Sequence, residues 1–501
     1  MYHLAYMNTP SIDEIKKYNR EYRYCPIKTE ILSDIRTPIE LLRILKNESA
    51  HVYMLESVKD QERWGRYTFL GYRPKLCVTC TDGHLTVTDD TGNVIHEEET
   101  SHPASYIRSV VDEHRCPRPD GFPTFVGGLV GYFAYDYIKY AEPKLKLDAE
   151  DNEHFRDVDL MLFDRVIAYD NLRQRIVITA LVDLSNAEES YREASQAIED
   201  IVELIRHGTP ANIEKGTLKS DYRGLFDETS FCDMVNKAKD HIYDGDIFQV
   251  VLSNRLEADF EGSLFDTYRI LRTINPSPYM FYFSGDDMEV AGASPESLVK
   301  CEQGVLHTFP LAGTRPRGVD DAEDKALEEE LLADEKELAE HNMLVDLGRN
   351  DIGKISRIGS VEVEKYMSIE RFSHVMHIGS TVRGELRDGC DALDAVDAIL
   401  PAGTLSGAPK IRACEIINAL ENNKRGIYGG AIGYIDFTGN LDTCIAIRIA
   451  YKKNGRVFVR SGAGIVADSD PAKEYQECIN KAKAVMSAIM MQQDMRDGGI
   501  L

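Results

Sequence analysis

The sequence predicts an α+β fold built on large antiparallel β-sheets, and three patterns lead to this prediction. Residues 40–180 are mainly short runs of β-branched and aromatic residues separated by turn signals, which is typical of strands. The second half of the chain alternates strand-like and helix-like stretches. Three apolar runs then follow one another closely, as expected for an antiparallel meander, at residues 427–436, 442–453 and 456–467.

A polar stretch divides the chain into two predicted domains. Residues 184–208 carry apolar side chains at helical spacing and end at Gly208 and Pro210, which indicates an amphipathic helix. The stretch that follows, residues 209–226, is polar and is the best candidate for a linker. We therefore expect an N-terminal domain, a helix with linker, and a C-terminal domain, at residues 15–180, 184–226 and 227–490.

Charge and hydropathy exclude several classes of protein. The chain has 58 basic and 84 acidic residues, a formal net charge of -26 that disfavours binding to the phosphate backbone of nucleic acids. The N-terminus has no apolar segment of signal-peptide length, and no run of about 18 apolar residues occurs that would span a membrane. The ten cysteines form no framework, which favours a reducing compartment. We therefore expect a cytoplasmic protein that binds neither nucleic acid nor membrane.

Two pairs of glutamates indicate a candidate metal site. Residues 322–348 are predicted to form one long charged helix, and a final helix is predicted to begin at Asp470 with Pro471 in its first position. In each helix two glutamates lie three residues apart, so both project from one face. The pairs are Glu337 with Glu340 and Glu474 with Glu477. Facing pairs would offer the oxygen ligands that Mg²⁺ prefers, but the alternative is two solvated helix faces.

Glycine-rich segments and single polar residues mark further candidate positions. Residues 461–464 and 403–410 match neither a P-loop nor a dinucleotide-binding motif, and on pattern alone both are predicted to be turns. Glycines at 461–464 would also let backbone N–H groups approach an anion. Arg448 lies inside a predicted apolar strand, so it needs either an anionic ligand or a buried ion pair. His377 is either a catalyst or a structural histidine.

Taken together, these segments resemble the family of chorismate-utilising enzymes, whose members include anthranilate, aminodeoxychorismate, isochorismate and salicylate synthases. The resemblance covers about residues 20–175 and 228–490. The motifs that carry it are GASPE (292–296), KELAEHNMLVDLGRND (336–351), HVMH (374–377), PAGTLSGAPK (401–410), YGGAIGY (428–434), SGAGIVADSDP (461–471) and EYQECINKA (474–482). For the fold, it implies two intertwined α/β layers in which large antiparallel sheets pack as a sandwich with helices outside.

The resemblance implies roles for these residues in binding chorismate and Mg²⁺. Glu340 and Glu477 would bind Mg²⁺ directly, and Glu337 and Glu474 would hold it through water. The ion would hold the ring carboxylate of chorismate and act as a Lewis acid. The residues implied to bind the substrate are Thr404, Tyr428, Arg448, Gly462, Ala463, Gly464 and Lys481.

Three of the matched residues are implied to be catalytic: Glu296, His377 and Thr404. Glu296 matches the general acid that protonates the departing C4 hydroxyl while ammonia attacks C2. His377 matches the histidine needed when pyruvate leaves and the ring becomes aromatic. Arg448 and Tyr428 would clamp the enolpyruvyl carboxylate, a task that suits the fork of an arginine.

Two departures from the family pattern favour an anthranilate synthase large subunit. Isochorismate and salicylate synthases carry a lysine that activates water where this chain has Gln249, so ammonia is favoured as the nucleophile. Many aminodeoxychorismate synthases carry a lysine where this chain has Ala312. The expected reaction is amination of chorismate followed by loss of pyruvate, the first committed step of tryptophan biosynthesis. An aminodeoxychorismate synthase large subunit and a non-catalytic tryptophan-binding subunit remain as alternatives.

Two further motifs resemble the tryptophan site of feedback-inhibited anthranilate synthases. Residues 54–57 read MLES and residues 275–280 read NPSPYM. The residues implied to bind L-tryptophan are Leu55, Glu56, Ser57, Asn275, Pro276, Pro278, Tyr279 and Met280. Bound tryptophan would inhibit catalysis through a shift between two domain arrangements. Some aminodeoxychorismate synthases also retain bound tryptophan, so these motifs alone do not settle the product.

The sequence contains no nucleophile motif of a glutaminase. No segment resembles GxCLGxQ. We therefore expect the chain to use free ammonia or to receive it from a separate glutamine amidotransferase small subunit. An assembly of two large and two small subunits would fit the family.

Overall fold

The computed structural model describes residues 8–57, 65–371 and 375–494, which form an α+β fold. The first strands are β1 (Tyr24–Leu32), β2 (Val52–Glu56), β3 (Tyr67–Tyr72), β4 (Leu76–Thr81), β5 (His84–Asp89), β6 (Val94–Glu99), β7 (Gly128–Phe133), β8 (Val158–Phe163), β9 (Arg165–Asp170), β10 (Arg175–Asp183), β11 (Thr217–Leu218), β12 (Arg223–Gly224) and β13 (Gln249–Glu261). The later strands are β14 (Tyr279–Ser284), β15 (Glu289–Ser294), β16 (Ser297–Glu302), β17 (Val305–Thr308), β18 (Leu311–Pro316), β19 (Glu362–Arg371), β20 (Val375–Glu385), β21 (Gly407–Ala408), β22 (Ala431–Asp436), β23 (Leu441–Ile445), β24 (Ile449–Lys453) and β25 (Arg456–Ile465). The helices are α1 (Ile12–Ile15), α2 (Pro38–Glu48), α3 (Pro103–Glu113), α4 (Ile138–Ala141), α5 (Ala187–His207), α6 (Glu228–Tyr243), α7 (Phe265–Ile274), α8 (Asp321–Ala333), α9 (Glu335–Gly353), α10 (Ala392–Ile399), α11 (Lys410–Glu421) and α12 (Pro471–Asp494).

Within these residues the strands form two antiparallel sheets. The first has 13 strands in the order β1-β10-β9-β3-β2-β14-β15-β24-β25-β13-β11, with β12 and β21 also paired to β13. The second has 12 strands in the order β18-β20-β17-β16-β23-β22-β7-β8-β4-β5-β6, with β19 paired to β20. In both sheets, strands from the first part of the chain lie beside strands from the last part. Both predicted domains therefore contribute strands to each sheet.

The two sheets pack face to face around an aromatic core. Tyr53 of the first sheet and Phe163 of the second have ring centroids 4.6 Å apart, and both side chains are buried. Phe69 and Tyr434 make a similar contact across the interface, with centroids 6.0 Å apart. Edge-to-face contacts of this kind are typical of the interface between packed sheets. The predicted sandwich of antiparallel sheets is confirmed.

Helices cover the outer faces of this sandwich. On the first sheet, α5 buries Ile198, Ile201 and Ile205 in a core that also contains Ile176 and Ile178 of β10. The helices α2, α7 and α12 contribute to the same core, and α3 and α10 contribute to the core on the second sheet. The predicted arrangement of helices outside two sheets is therefore confirmed. No helix in the described ranges is long and apolar enough to cross a membrane.

The predicted long helix at 322–348 is wrong, because this stretch forms two helices, α8 and α9. Asp334 lies between them, and its side chain accepts hydrogen bonds from the N–H groups of Lys336 at 3.1 Å and Glu337 at 3.3 Å. An aspartate in this position satisfies donors that the start of a helix leaves unpaired, so it begins a new helix. The predicted linker likewise contains strands β11 and β12, both paired with β13. The final helix begins at Pro471, as predicted.

We expect Phe163→Ala to destabilise the protein by about 3–5 kcal/mol, because it removes a ring packed between the sheets and leaves a cavity. Denaturant unfolding measures this as a lower midpoint. Leu172→Ala is the control, since Leu172 is 50% exposed after β9. That variant should change the free energy of unfolding by about 0.5 kcal/mol or less. Equal midpoints for the two variants would contradict the described packing.

Candidate active site

A cavity of about 140 Å³ lies where the turn Gly403–Leu405, the strand β25 and the helix α12 meet. Apolar side chains such as Val251 and Val485 form part of its wall. Six of the predicted site residues also line it: Glu296, Thr404, Tyr428, Arg448, Gly462 and Lys481. The fold therefore brings residues that are far apart in the sequence together in one small cavity. Their individual roles remain predictions.

Glu296 lies at the wall of this cavity, in the two-residue connection between β15 and β16. Its carbonyl oxygen accepts a hydrogen bond from the N–H of Ile445 at 3.0 Å, which fixes the main chain. The Thr404 hydroxyl donates to Glu296 Oε2 at 3.2 Å. Burial raises the pKa of the Glu296 carboxyl, although the Thr404 hydrogen bond and two nearby positive side chains act in the opposite direction. A carboxyl group with a raised pKa keeps its proton to higher pH, as a general acid must.

The sequence predicts Arg448 inside a strand, but it lies in a break between β23 and β24. Its φ of 52° is in the left-handed region, a strained conformation for a residue with a side chain that is often found at functional sites. Arg448 lines the cavity, and the break in the strand is compatible with its guanidinium group reaching it. Its Nη1 donates a hydrogen bond to Asn275 Oδ1 at 3.5 Å. Burial lowers the pKa of Arg448, while the charge of Glu296 opposes this change.

Residues 461–464 are predicted to be a turn, but they continue the strand β25. This strand pairs with β13 as far as Ile465, whereas its pairing with β24 ends at Val459. The sequence pattern did not reveal this pairing because β13 lies far away along the chain. Beyond Val459, the edge of β25 that faces away from β13 borders the cavity.

This edge of β25 turns backbone N–H groups toward the site. Lys481 Nζ donates to the carbonyl oxygen of Gly462 at 3.1 Å, so this carbonyl group points away from β13. In an antiparallel strand the N–H and C=O of one residue point the same way, and residues two apart share that direction. The N–H groups of Gly462 and Gly464 therefore face the site, whereas that of Ala463 faces β13.

Arg460 also lines the cavity, although the sequence analysis did not single it out. Its side chain is fully buried. Like Arg448, it is a charged residue within an apolar run, here VFVR at 457–460, and that signal identifies it as a candidate. A buried charge in such a run needs a partner, which Arg460 finds in the buried Glu421 at 2.7 Å.

The two predicted glutamate pairs lie on α9 and α12. Glu477 pairs with the cavity residue Lys481 at 2.6 Å. The pKa of the Glu340 carboxyl is raised, first by desolvation and then by the negative charges of Glu337 and Glu477. The pKa of Glu474 is also raised, by desolvation and then by Glu477. Carboxylates on the two helices are therefore close enough to act on one another.

This set of donors fits a hard divalent cation such as Mg²⁺. It consists of carboxylates, the ligands that such ions prefer, and carboxylates that raise one another's pKa gain most from a nearby cation. Across residues 8–57, 65–371 and 375–494, no group of three His, Cys, Asp or Glu side chains is already gathered as a metal site. Mg²⁺ usually keeps several waters and is bound by only one or two carboxylates, so the proposed site needs few direct protein ligands.

His377 lies on β20, close to α9 rather than in the cavity wall. Its Nδ1 donates to the carbonyl oxygen of Gly313 at 2.8 Å, so Nδ1 carries a hydrogen atom. Gly313 in turn contacts Glu337, since a Cβ atom at this glycine would lie 3.3 Å from Glu337 Oε2. His377 is therefore grouped with the carboxylates of α9. His374 of the same motif lies outside the described residues.

A second cavity, of about 280 Å³, contains most of the predicted tryptophan residues. The strands β2 and β14 run side by side with Glu56 opposite Met280, which brings the two motifs together. The predicted residues that line it are Leu55, Glu56, Ser57, Pro278, Tyr279 and Met280. The carboxylate of Glu56 already accepts a hydrogen bond from Tyr268 at 2.6 Å and pairs with Arg272. Lys300 also lines this cavity, where it pairs with Glu302 at 3.4 Å.

Asn275 and Pro276 are not among the residues that line this second cavity. Asn275 instead ends α7, with its N–H donating to the carbonyl oxygen of Leu271 at 2.9 Å. Its side-chain oxygen accepts from Arg448, while Pro278, three residues later, lines the second cavity. The motif at 275–280 therefore lines the second cavity and contacts Arg448, which lines the first.

Comparisons with known proteins agree on one family. A profile of chorismate binding enzymes matches residues 51–487. Anthranilate synthase component 1 of Aquifex aeolicus is 46% identical over 496 residues, which cover 97% of this chain and 99% of the relative. Anthranilate synthase component 1 of Acetivibrio thermocellus is 44% identical over 488 residues, which cover 96% and 98% of the two chains.

A solved structure gives the same result for the fold. The crystal structure of anthranilate synthase component I from Streptococcus pneumoniae matches with a TM-score of 0.75 and 38% sequence identity, covering 91% of this chain and 98% of that chain. The profile and these relatives all extend over nearly the whole chain, so the similarity includes both sheets and both cavities. The chain belongs to the chorismate-binding enzyme family, among its anthranilate synthase component 1 members.

Proposed function

We propose that this enzyme forms anthranilate, pyruvate and water from chorismate and ammonia, that it requires Mg²⁺ and that L-tryptophan inhibits it. The observation that supports this proposal most is the single cavity shared by Glu296, Arg448 and Lys481. An anionic substrate that loses a hydroxyl group requires an acid and positive groups in one volume. The relatives' name, anthranilate synthase component 1, supports anthranilate as the product.

The two carboxylates of chorismate would bind to different sides of the cavity. Arg448 offers a planar fork, with Tyr428 on the same wall, for the enolpyruvyl carboxylate. Lys481 and the N–H groups of Gly462 and Gly464 suit the ring carboxylate. Because the whole chain carries a formal charge of -26, these local donors are what allow an anion to bind here.

Mg²⁺ would be held directly by Glu340 and Glu477 and through water by Glu337 and Glu474. When bound, it would neutralise the ring carboxylate and withdraw electrons from the ring as a Lewis acid. Glu477 and Lys481 are ion-paired at 2.6 Å, so the lysine that contacts the substrate also orients one proposed metal ligand.

In the first step, ammonia attacks C2 of chorismate and the C4–O bond breaks. Glu296 gives its proton to the departing hydroxyl group, which leaves as water, and the excess proton on the new amine passes to solvent. The side chain of Gln249 supports ammonia as the nucleophile, because it is no base and so would not activate water. It packs against Gly464 at the edge of the site, where an added Cβ atom would lie 2.7 Å from Gln249 Nε2.

In the second step, the ring loses the proton at C2 and the C3–O bond breaks. The released enolpyruvate takes up a proton to become pyruvate, and the ring becomes aromatic. We assign His377 to this elimination, because its Nδ1–H is bonded to the Gly313 carbonyl, so that in the neutral form of the ring Nε2 would be the basic nitrogen.

Tryptophan would bind in the second cavity, whose aromatic and apolar wall includes Phe69, Tyr434 and Met280. An indole ring suits this lining, and Lys300 suits the carboxylate of an amino acid. The motif at 275–280 reaches Arg448 through Asn275, so a shift of this segment would alter the active site without direct contact between the ligands.

Ammonia would be used free or supplied by a separate glutamine amidotransferase subunit, in an assembly of two large and two small subunits. The relatives are named component 1, which supports a second component. Assays with ammonium salts do not need that subunit, so the catalytic proposal can be tested on this chain alone.

The purified chain incubated with chorismate, Mg²⁺ and ammonium should produce the blue fluorescence of anthranilate. Glu340→Ala should lower the rate by about a hundredfold or more, because it removes a proposed Mg²⁺ ligand. Glu329→Ala is the control, since this glutamate is 71% exposed on α8 and should not affect turnover. Accumulation of an aminated product without release of pyruvate would contradict the proposed reaction. Near-normal turnover by Glu340→Ala would contradict the metal assignment.

Thr404→Val should move the alkaline limb of the pH–rate profile to higher pH. The Thr404 hydroxyl donates to ionised Glu296 and so lowers the pKa of that carboxyl. Its loss raises the pKa, so the protonated acid persists to higher pH. Measuring kcat/KM between about pH 5 and pH 9 reports this limb for the free enzyme. A limb that stays in place, or moves to lower pH, would argue against Glu296 as the acid.

Ser57→Phe should leave the rate in the absence of tryptophan unchanged and weaken inhibition by about tenfold or more, because the added ring occupies the second cavity. The measurement is the tryptophan concentration that halves the rate. Leu172→Phe adds the same ring at an exposed position and should be inhibited like the wild type. Unchanged inhibition of Ser57→Phe would remove the second cavity from the account.

A further inference from the structure

A buried group of three charged side chains adjoins the candidate active-site cavity, and one of them, Arg460, is part of its wall. Glu421 at the end of α11, Arg425 in the following loop and Arg460 of β25 are at most 3% exposed. We call these three residues the buried charge network. It contains one carboxylate and two guanidinium groups, so it keeps one net positive charge next to a cavity proposed to bind an anion.

The carboxylate of Glu421 joins the two arginines. Arg425 Nε donates to Glu421 Oε2 at 2.9 Å, and Arg460 Nη2 donates to the same oxygen at 2.7 Å. The backbone N–H and the hydroxyl of Ser253 donate to Oε1 at 2.7 and 3.0 Å. Burial alone raises the pKa of the Glu421 carboxyl, but the two arginines hold it below its usual range, so it stays ionised.

Arg425 links this network to three parts of the cavity wall. Its Nη1 donates to the carbonyl oxygen of Leu405 at 2.6 Å, and its Nη2 donates to that of Val251 at 2.7 Å. The guanidinium carbon lies 5.8 Å from the centre of the Tyr428 ring. Leu405, Val251 and Tyr428 all line the cavity, and Leu405 directly follows Thr404, which bonds to Glu296.

Arg460 links the network to the strand edge that faces the site. It lies two residues before Gly462 on β25, and its Nε donates to Ser253 Oγ at 2.8 Å. Gly462 packs against the Tyr428 hydroxyl, since a Cβ atom there would lie 3.1 Å from that oxygen. A displacement of either arginine would therefore move the Tyr428 ring and the backbone of Gly462 relative to each other.

We propose that the buried charge network is the positioning element of the substrate site: Arg425 holds the Thr404–Leu405 turn and the Tyr428 ring in place, and the excess positive charge favours the anionic substrate. This inference rests on the function proposed above. None of the three residues needs to donate a proton or a hydrogen bond to the substrate. Their effect passes through the wall that they hold and through the electric field, which low-dielectric surroundings screen only weakly.

The test compares the same substitution at two neighbouring buried positions, Arg425→Gln and Lys424→Gln. Lys424 is 6% exposed and pairs with Asp157 at 3.1 Å and Asp151 at 3.3 Å, and none of these three residues lines the cavity. Both changes remove one buried positive charge and its ion pairs, so both should lower the melting temperature. Chorismate affinity is measured by calorimetry with Mg²⁺ and without ammonia, well below both melting temperatures.

We expect Arg425→Gln to raise the dissociation constant of chorismate by about tenfold or more and Lys424→Gln to change it by less than about twofold. Equal changes in the two variants, or wild-type affinity in Arg425→Gln, would overturn the inference. If Arg425→Gln does not fold, the Ser253→Ala variant tests the inference instead. It removes the hydrogen bonds that the Ser253 hydroxyl makes with Glu421 and Arg460, but it removes no charge. Weaker binding by folded Ser253→Ala supports the inference, and unchanged binding overturns it.

The binding measurement is independent of turnover, so it separates this inference from the proposed function. A wild-type chain that binds chorismate but yields no anthranilate would contradict the proposed function. The comparison of Arg425→Gln with Lys424→Gln would still test the role of the buried charge network. A wild-type chain that binds no chorismate would overturn both. A chain that yields anthranilate while Arg425→Gln binds like the wild type would overturn only the role of the network.

Discussion

Binding an anion in a protein with a formal charge of -26 requires that positive groups be held together in one place. Arg448 and Lys481 line the candidate active-site cavity, and the buried charge network adjoins it. Arginines stay protonated even when buried, so much of this positive charge does not depend on pH near neutrality. Many acidic side chains lie instead on exposed surfaces such as α8, where solvent and salt screen them. The location of charge, rather than its sum, makes anion binding possible.

The interleaving of the two sheets gives the two cavities a common framework. β14, which lines the second cavity, is hydrogen-bonded to β15, and Glu296 lies two residues after the end of β15. Asn275, just before β14, contacts Arg448. A ligand that displaces β14 would therefore affect Glu296, the proposed acid, and Arg448, the proposed anion-binding residue, without touching either. This connection is a physical route for regulation, and its use by tryptophan is the proposal made above.

Features with a local cause were predictable from the sequence, and features with a distant cause were not. Pro471 starts α12 because proline suits a first helical position, and glutamates three residues apart share a helix face. Residues 461–464 look like a turn because of their glycines, yet β13, far away in the sequence, holds them as a strand. Arg448 has strand-like neighbours but lies in a break. Arg460 can be noticed as a charge in an apolar run, but Glu421 and Arg425 look like surface charges in the sequence, so only their packing identifies them.

A crystal structure with chorismate and with Mn²⁺ in place of Mg²⁺ tests the central claim most directly, because the anomalous scattering of Mn²⁺ locates the ion. The account predicts a peak between α9 and α12, bound by Glu340 and Glu477. It also predicts one substrate carboxylate beside Lys481 and the other on Arg448. A Mn²⁺ ion bound away from these glutamates, or chorismate bound outside the cavity, would contradict the account.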